Sequence, residues 1–508
     1  MKNKTTIWIT GDQCSLWNSA LSASDRNSST VLMIESVERG SKLKYHKKKL
    51  VLIYSTMRHF ANDLSKDGWQ VDYYQEHADF KSALSSHLAK FQPSQIRMME
   101  QSEFGTAESF RRMVDPIPLD IYPHSNFLST ASEFESLHKN SNSRVTMESF
   151  YRLMRKKTGI LMDGENPVGG RWNYDQENRK PPSPNLSVIK LKHFPPDEIT
   201  LSVIDMVDRM FPDHPGNTKS FFYAVTRENA LLAATDFFEH RLNQFGTYQD
   251  AMVYGEPFLN HSVLSPYINV GLLHPLELMQ EAAKRLERGQ ATLNSVEGFV
   301  RQLLGWREFI WRVYWRLMPD YKNRNGLNAS QPLPEFFRTG QTNMRCLSDA
   351  LQSVLDHGYA HHIARLMLLG NFALIAGLNP LETNDWFASM FVDGYDWVMV
   401  PNVIGMTLHA DGGYVGTKPY AASANYINKM SNYCRNCIYD YKESTTENAC
   451  PFNFLYWHFL IRNQDAFKNN QRMALILGSL SKKDDQWKKL ISKRAVSFLK
   501  GLNSPLSL

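Results

Sequence analysis

Short apolar runs alternate with longer stretches of helical period in the first part of the chain. Thr6–Thr10, Val31–Glu35, Gln70–Tyr74, Gln95–Met99 and Asp120–Pro123 read as strands, and Leu50–Asp67 reads as a helix between the second and third. This alternation predicts a Rossmann-like α/β domain with a parallel sheet over residues 1–130. Ligands of such sheets bind outside the carboxyl ends of the strands. Gly11-Asp12-Gln13 follows the first strand directly and is a candidate ligand loop.

Residues 131–215 lose the periodicity and collect Pro, Gly and Asn, as in Pro167-Val168-Gly169-Gly170, Lys180-Pro181-Pro182 and Phe194-Pro195-Pro196. They read as a long inter-domain connection. Over 216–508 the helical period dominates, most clearly in Asn229–Phe245, Leu276–Gly289, Val296–Met318, Leu347–His357, Ala360–Ala376 and Thr383–Phe391. The second domain is therefore expected to be all-α. No internal repeat or low-complexity tract interrupts it.

A length of 508 residues, with 43% hydrophobic and 21% charged residues, suits two or three domains around a large core and excludes a single small module. The net charge of +6 permits a nucleic-acid partner without identifying one. Aromatic residues make up 12%, and many of the 11 tryptophans lie beside arginines in the second half, a composition able to stack planar rings. Near the N-terminus the apolar run Ile7–Ile9 is too short for a signal peptide, and Asn371 and Gly377 break the longest apolar candidate, Leu366–Leu378. A cytoplasmic protein with no membrane partner is expected. Its five cysteines then read as metal ligands or thiols, not disulfides.

Cys434 and Cys437 form a CxxC pair, and Cys450 follows after twelve intervening residues with Pro451 next to it. Such a pair places two sulfurs on one side of a tight loop, close enough to grip one metal centre. Cys346 is the better fourth ligand, because it lies in the helical domain and Cys14 does not. Spacing alone leaves buried thiols, a structural zinc site and an iron–sulphur cluster open.

Adjacent His361 and His362 cannot face one direction on a helix, so an exposed or capping role is the plain reading of either. A histidine beside a desolvated pocket, however, titrates near neutrality and can protonate a substrate heteroatom. In Glu297–Phe309 several polar groups sit on an apolar helix, where Arg301 is expected to meet Glu308 across two turns, with Trp306 in the core. Asp393-Gly394-Tyr395-Asp396-Trp397, continuing to Pro401-Asn402, places two acids and an amide in a Gly- and Pro-marked turn suited to sugar hydroxyls.

Together these residues resemble the photolyase/cryptochrome family, and more closely its bacterial iron–sulphur branch, similar to prokaryotic (6-4) photolyases. The resemblance spans nearly the whole chain. It runs through Gly11-Asp12-Gln13, His46-Lys47-Lys48-Lys49, Met57-Arg58-His59-Phe60-Ala61 and the stretch from Gly169 to Arg179. It continues through Asn260-His261-Ser262-Val263-Leu264-Ser265, the Trp306 helix, His361-His362-Ile363-Ala364-Arg365, Gly416-Thr417-Lys418-Pro419-Tyr420 and the cysteines.

The resemblance implies an antenna-binding α/β domain, a linker, and a helical domain that holds FAD in a U shape. It implies a [4Fe-4S] cluster on Cys346, Cys434, Cys437 and Cys450 in place of zinc, with Cys14 left free. It implies a 6,7-dimethyl-8-ribityllumazine antenna, with Asp12, Gln13 and Glu35 as its contacts. For FAD it points to Ser262, Leu264 and Ser265 near the phosphates, Glu297, Arg301 and Trp306 along the helix, and Arg365, Asp393, Asp396 and Asn402 near the isoalloxazine.

The implied activity is light-driven repair of (6-4) photoproducts by electron transfer from photoexcited reduced FAD to a flipped lesion. His362 matches the catalytic histidine, with His361 beside it. Leu366 stands where eukaryotic (6-4) enzymes carry a second histidine. The implied partner is UV-damaged DNA, met by a monomer, with Lys418, Arg171 and Arg179 as phosphate contacts and Mg²⁺ as a candidate aid to binding. Trp386 is a candidate electron relay that must bypass the redox-inert Phe387. Two rival readings are a blue-light photoreceptor without repair and a zinc-stabilised DNA-binding or scaffold protein.

Overall fold

The computed structural model describes residues 5–138, 144–184 and 186–502. The domain spans 1–130, 131–215 and 216–508 thus each include a few positions outside the described residues: 1–4, 139–143 with 185, and 503–508. The five apolar runs form one parallel sheet in the order β3-β2-β1-β4-β5, with β1 at Thr5–Ile9, β2 at Ser29–Ser36, β3 at Gln70–His77, β4 at Gln95–Met99 and β5 at Leu119–Tyr122. Every residue of β2 is buried, as expected of a parallel strand covered on both faces. The chain order reverses between β1 and β4, which opens a crevice at their carboxyl ends. Asp12 and Gln13 sit there.

The helix predicted from Leu50 starts earlier, at Lys47, and runs to Lys66, with the His46 ring accepting from the backbone N–H of Lys48 at 3.1 Å as its cap. The 131–215 connection is less irregular than its composition suggests. Met147–Thr158 is a helix, capped by Thr146 and ended by Gly159 at φ +70°, and Glu198–Met210 is another, packed on Lys47–Lys66. Between them the described residues of the Pro- and Gly-rich stretch form no α-helix, only a 3-10 turn at Val168–Gly170; prolines disfavour helix there.

The run His46-Lys47-Lys48-Lys49 joins the domains. The His46 ring bonds the Leu355 carbonyl at 2.9 Å, and Lys48 donates to the Asp356 carbonyl at 2.6 Å. Both carbonyls close the helix Arg345–His357, whose C-terminal end favours donors and positive charge. Lys49 reaches further, donating to the Ala388 carbonyl at 2.8 Å and to that of Gly394. Burial pulls the Lys48 and Lys49 ammonium groups down to about 8 and about 7. One continuous apolar core runs through both domains, and a smaller one fills the far side of the sheet.

Three of the long helices are interrupted by a wider, π-type turn: Arg301–Arg307, Arg365–Gly370 and Pro401–Thr407. Such turns gather at functional sites. Each of these carries at least one residue that the sequence places at the flavin. The second and third lie in contact, and Gly370 permits it, because a Cβ there would run into the methyl of Thr407.

Candidate active site

The second π-type turn begins with Arg365, whose guanidinium grips Asp393 through both nitrogens at 2.9 and 3.1 Å and also donates to the Ala360 carbonyl. Ser265 donates to the same carboxylate at 2.6 Å, and the Asn269 amide donates to the Asp393 backbone carbonyl at 3.1 Å. Arg365 stacks 4.1 Å over Phe391 and 5.0 Å over Tyr359. A planar cation with both faces and edges fixed by protein keeps its position without a ligand. Sequence reasoning named Arg365, Asp393 and Ser265 separately, and the structure brings them into one cluster.

His362 lies one turn before Arg365. It is exposed. Desolvation by neighbouring protein, and then the Arg365 charge, lower its pKa to about 4. His361 faces the other way and is 3% exposed. Burial, with His261 and other positive neighbours, holds it well below the usual histidine range, and burial takes His261 to about 3. Both of these rings are neutral at pH 7, and one nitrogen of each, His361 Nδ1 and His261 Nε2, has no partner within the protein. Asn260 Oδ1 beside them is also unpartnered.

The segment that carries Ser262 is strained. Leu259 and Val263 hold φ at +43° and +56°, a region that a β-branched residue such as valine rarely adopts. Leu264 is buried at 1% and Ser262 is half-buried. Nothing in the sequence signalled this distortion, since no glycine marks it.

Glu297 is fully buried, accepts from the Tyr151 hydroxyl and the Tyr174 N–H at 3.1 Å each, and lies 3.3 Å from Arg301. Arg301 also pairs with Asp175. The expected meeting of Arg301 with Glu308 does not occur. The π-type turn between them rotates Glu308 away, and its carboxylate takes the backbone N–H groups of Leu128 and Ser129 and the Ser129 hydroxyl. Trp306 is half-buried, edge-on to Phe309 at 6.2 Å, and does not enter the core fully.

Asp396 points away from the Arg365 cluster, accepting from Tyr314 at 3.1 Å and Lys322 at 3.0 Å. Asn402 is half-buried and donates to the Val398 carbonyl at 2.8 Å. Trp386 donates to the Phe337 carbonyl at 3.0 Å, and its ring meets Phe387 edge-on at 5.0 Å. Of the suggested phosphate contacts, Arg171 is paired with Glu177 and Arg179 with Asp175, while Lys418 is exposed.

At the sheet crevice, Asp12 accepts from Thr10 at 2.8 Å and from Ser102, and the Gln13 amide donates to the Glu100 carbonyl at 2.9 Å. Gln13 Oε1 and the nearby Tyr395 hydroxyl are shut off from water without partners. Glu35, in contrast, is saturated: Arg58 holds both oxygens at 2.8 and 2.9 Å, and Tyr73 and the Glu76 N–H complete the set. It is a structural ion pair, with no oxygen left over for the antenna contact the sequence suggested.

Cys346, Cys434, Cys437 and Cys450 line one small closed pocket, walled by Tyr433, Tyr439, Tyr441 and Phe452. They come from the first turn of Arg345–His357, the short helix Tyr433–Asn436 and its end, and the cap of Pro451–Phe467. Burial and mutual repulsion raise the Cys346 thiol, and burial takes Cys434 and Cys450 to about 11 and about 12. Among the described residues, no three His, Cys, Asp or Glu side chains converge tightly enough for one metal ion. Cys14 is buried elsewhere, in the α/β domain.

Residues 7–223 match the family model described as deoxyribodipyrimidine photo-lyase-related protein. The chain is 43% identical over 504 residues to a (6-4) photolyase of Agrobacterium fabrum (strain C58 / ATCC 33970), covering 98% of this chain and 99% of that protein. Its fold is similar to a bacterial class III photolyase from Agrobacterium tumefaciens, with TM-score 0.58 and 14% identity, covering 100% and 93% of the two chains. It is equally similar to a cryptochrome of Synechocystis sp. PCC6803, with TM-score 0.59 and 15% identity, covering 98% and 99%. Among the described residues no helix is long and apolar enough to cross a membrane.

Proposed function

The chain belongs to the photolyase/cryptochrome family, and on that premise we propose that it is a light-driven DNA lyase that restores (6-4) photoproducts to normal pyrimidines. The observation that carries this reading is an exposed histidine, His362, one turn from the Arg365–Asp393 pair. A flipped, damaged dinucleotide can reach such a side chain, and a lesion that has already lost its stacking is the least costly to extrude.

FAD, when bound and reduced, supplies the electron that light releases. Its holders are Arg365, Asp393 and Ser265 at one end of the site and Glu297 and Arg301 at the other, with Ser262 and Leu264 on the strained loop. The unpartnered Asn260 and His261 atoms support a polar ligand in this neighbourhood. Asn402 and Trp306 complete the set, each only half-buried. Asp396 belongs with Tyr314 and Lys322, within the helical domain.

His362 performs the proton work. The hydroxyl on the 5′ base must return to the 3′ base, and a proton placed on that oxygen eases its departure. With a pKa near 4 the ring is neutral at pH 7 before substrate arrives. A DNA phosphate brought beside it favours the charged form. The substrate thereby loads the acid that acts on it. His361 positions the start of the helix that carries His362 by stacking on His261.

The four-cysteine pocket fits a [4Fe-4S] cluster, because its four thiols line one shared cavity. Such a cluster supplies one-electron chemistry or a structural tie. The crevice at Asp12, Gln13 and Tyr395 fits an antenna such as 6,7-dimethyl-8-ribityllumazine, because Gln13 Oε1 and the Tyr395 hydroxyl lack partners. The enzyme acts as a cytoplasmic monomer on UV-damaged DNA, with Lys418 the freest phosphate contact and Mg²⁺ an aid to binding.

Ultraviolet-damaged oligothymidine incubated with the protein under blue light and in the dark tests this reading. Restored thymines in the light alone are expected; damage that persists in both arms, with reduced flavin bound, indicates a photoreceptor instead.

A further inference from the structure

The net charge of +6 is not spread evenly over the chain. Between Asp465 and Lys500 nine lysines and arginines stand against three acids, so this segment alone carries +6 and the rest of the sequence sums to zero. Its last part folds as the helix Asp485–Leu502, whose buried residues Ile491, Ala495 and Leu499 are spaced four apart on one face. Lys489, Lys493 and Lys500 are exposed, fall within about 40° of one another around the axis and lie about 140° from that buried face. Among the described residues no carboxylate pairs with Lys489 or Lys493. Lys488, off the stripe, is held by Asp485 at 3.6 Å.

The stripe is held on a fixed frame. Trp487 meets Trp457 edge-on at 5.4 Å and Phe498 meets Phe454 in the same way at 5.4 Å, both partners lying on the helix Pro451–Phe467. Arg494 donates to the Glu447 carbonyl, in the loop that leads to Cys450. Towards the other end of the segment, exposed Arg472 donates to the Thr417 hydroxyl at 2.6 Å and the Asn470 amide to the Thr417 carbonyl at 3.0 Å. Thr417 adjoins Lys418, the exposed lysine already read as a phosphate contact. The positive segment therefore begins beside that contact.

The partner that suits such a face is an extended polyanion. A membrane-binding helix exposes an apolar stripe, whereas here the apolar face is buried and the exposed Leu490 and Val496 stand about 120° apart. A protein interface is built around aromatic side chains and is poor in lysine; the stripe is the reverse. Its lysines rise about 16 Å from Lys489 to Lys500, which spans about five phosphates of one duplex strand. Charge that no acid compensates also attracts such a partner from a distance. We propose that the helix Asp485–Leu502 is a second DNA contact, gripping the backbone of undamaged duplex beside the lesion and reading neither sequence nor damage. The choice of DNA rests on the function proposed above, but the contact depends on neither the lesion, the light nor His362.

The test is fluorescence anisotropy of the full-length protein, flavin bound and in the dark, at salt from about 50 to about 200 mM. The probes are an undamaged duplex of about 20 base pairs, long enough for both contacts, and the same duplex with one (6-4) photoproduct. Lys489→Gln combined with Lys493→Gln is expected to weaken binding of both duplexes about tenfold at the low salt and barely at the high, because two lost phosphate contacts lower the salt slope by about two. Flavin content checks folding. Lys81→Gln combined with Lys284→Gln removes the same charge from exposed positions elsewhere and is expected to shift either affinity by less than about twofold. Unchanged affinity and slope in the first variant, an equal loss in the second, or a loss confined to the damaged duplex overturns the proposal. So does binding of phosphatidylserine vesicles that the first variant loses while its DNA affinity stays. A protein that shows the expected pattern and repairs no lesion supports this contact and contradicts the repair reading instead.

Discussion

The rings of His261 and His361 lie nearly parallel, 7° apart in plane, with centroids separated by 4.5 Å. A stacked, buried, neutral pair is a positioning device, and it fixes the start of the helix on which the exposed His362 sits. Two adjacent histidines thus have opposite tasks.

Substitution separates them. His362→Ala is expected to lower light-driven repair about 100-fold or more, the usual worth of a positioned acid, while flavin stays bound. His361→Ala is expected to cost about 1–3 kcal/mol of stability, read from denaturant unfolding, with repair reduced only in proportion to the folded fraction. Equal loss of repair in both variants at unchanged stability contradicts the assignment.

Acid should unfold the protein through these rings. His261 has its pKa lowered to about 3, and His46 and His124 at the domain junction are lowered to about 4 and about 3, all by burial first. The folded state therefore binds fewer protons than the unfolded chain, whose histidines titrate at about 6.5. Their contribution is complete above about pH 6.5 and is lost as pH falls toward 4, by about 1.4 kcal/mol per pH unit for each ring. Thermal unfolding followed from pH 8 to pH 5 is expected to show a midpoint that falls throughout, the histidines acting below about pH 6.5 and the buried Lys48 and Lys49, lowered to about 8 and about 7, acting above it. An unchanged midpoint at pH 5 contradicts it.

Much of this was legible in the sequence, for physical reasons. Apolar runs such as Val31–Ile34 and a twenty-residue helix behind them are set by local pattern, and so the parallel sheet and the helical region that follows were legible. The cysteines were legible because CxxC is a local loop, although Cys346 joins them only in space. The π-type turns were not legible. A single inserted residue leaves the apolar period almost intact yet rotates everything after it, which is why Arg301 and Glu308 part company. Glu35 misled because an acid at a strand end resembles a ligand contact until Arg58, on the following helix, is seen to take both its oxygens.

The cysteine pocket gives a controlled comparison. Cys346→Ala is expected to remove the iron and acid-labile sulfide of the purified protein, along with broad visible absorbance. Cys14→Ala, on the other side of the molecule, is expected to leave all three unchanged. Stoichiometric zinc with no sulfide in the wild-type protein contradicts the cluster assignment.

The central claim is repair of one particular lesion. Oligonucleotides carrying a single (6-4) photoproduct or a single cyclobutane dimer, illuminated in parallel with the reduced protein and resolved by chromatography, test it most directly. Restored pyrimidines are expected from the (6-4) substrate alone, abolished in the dark and by His362→Ala. Restoration of the cyclobutane dimer alone, or of neither substrate, contradicts it.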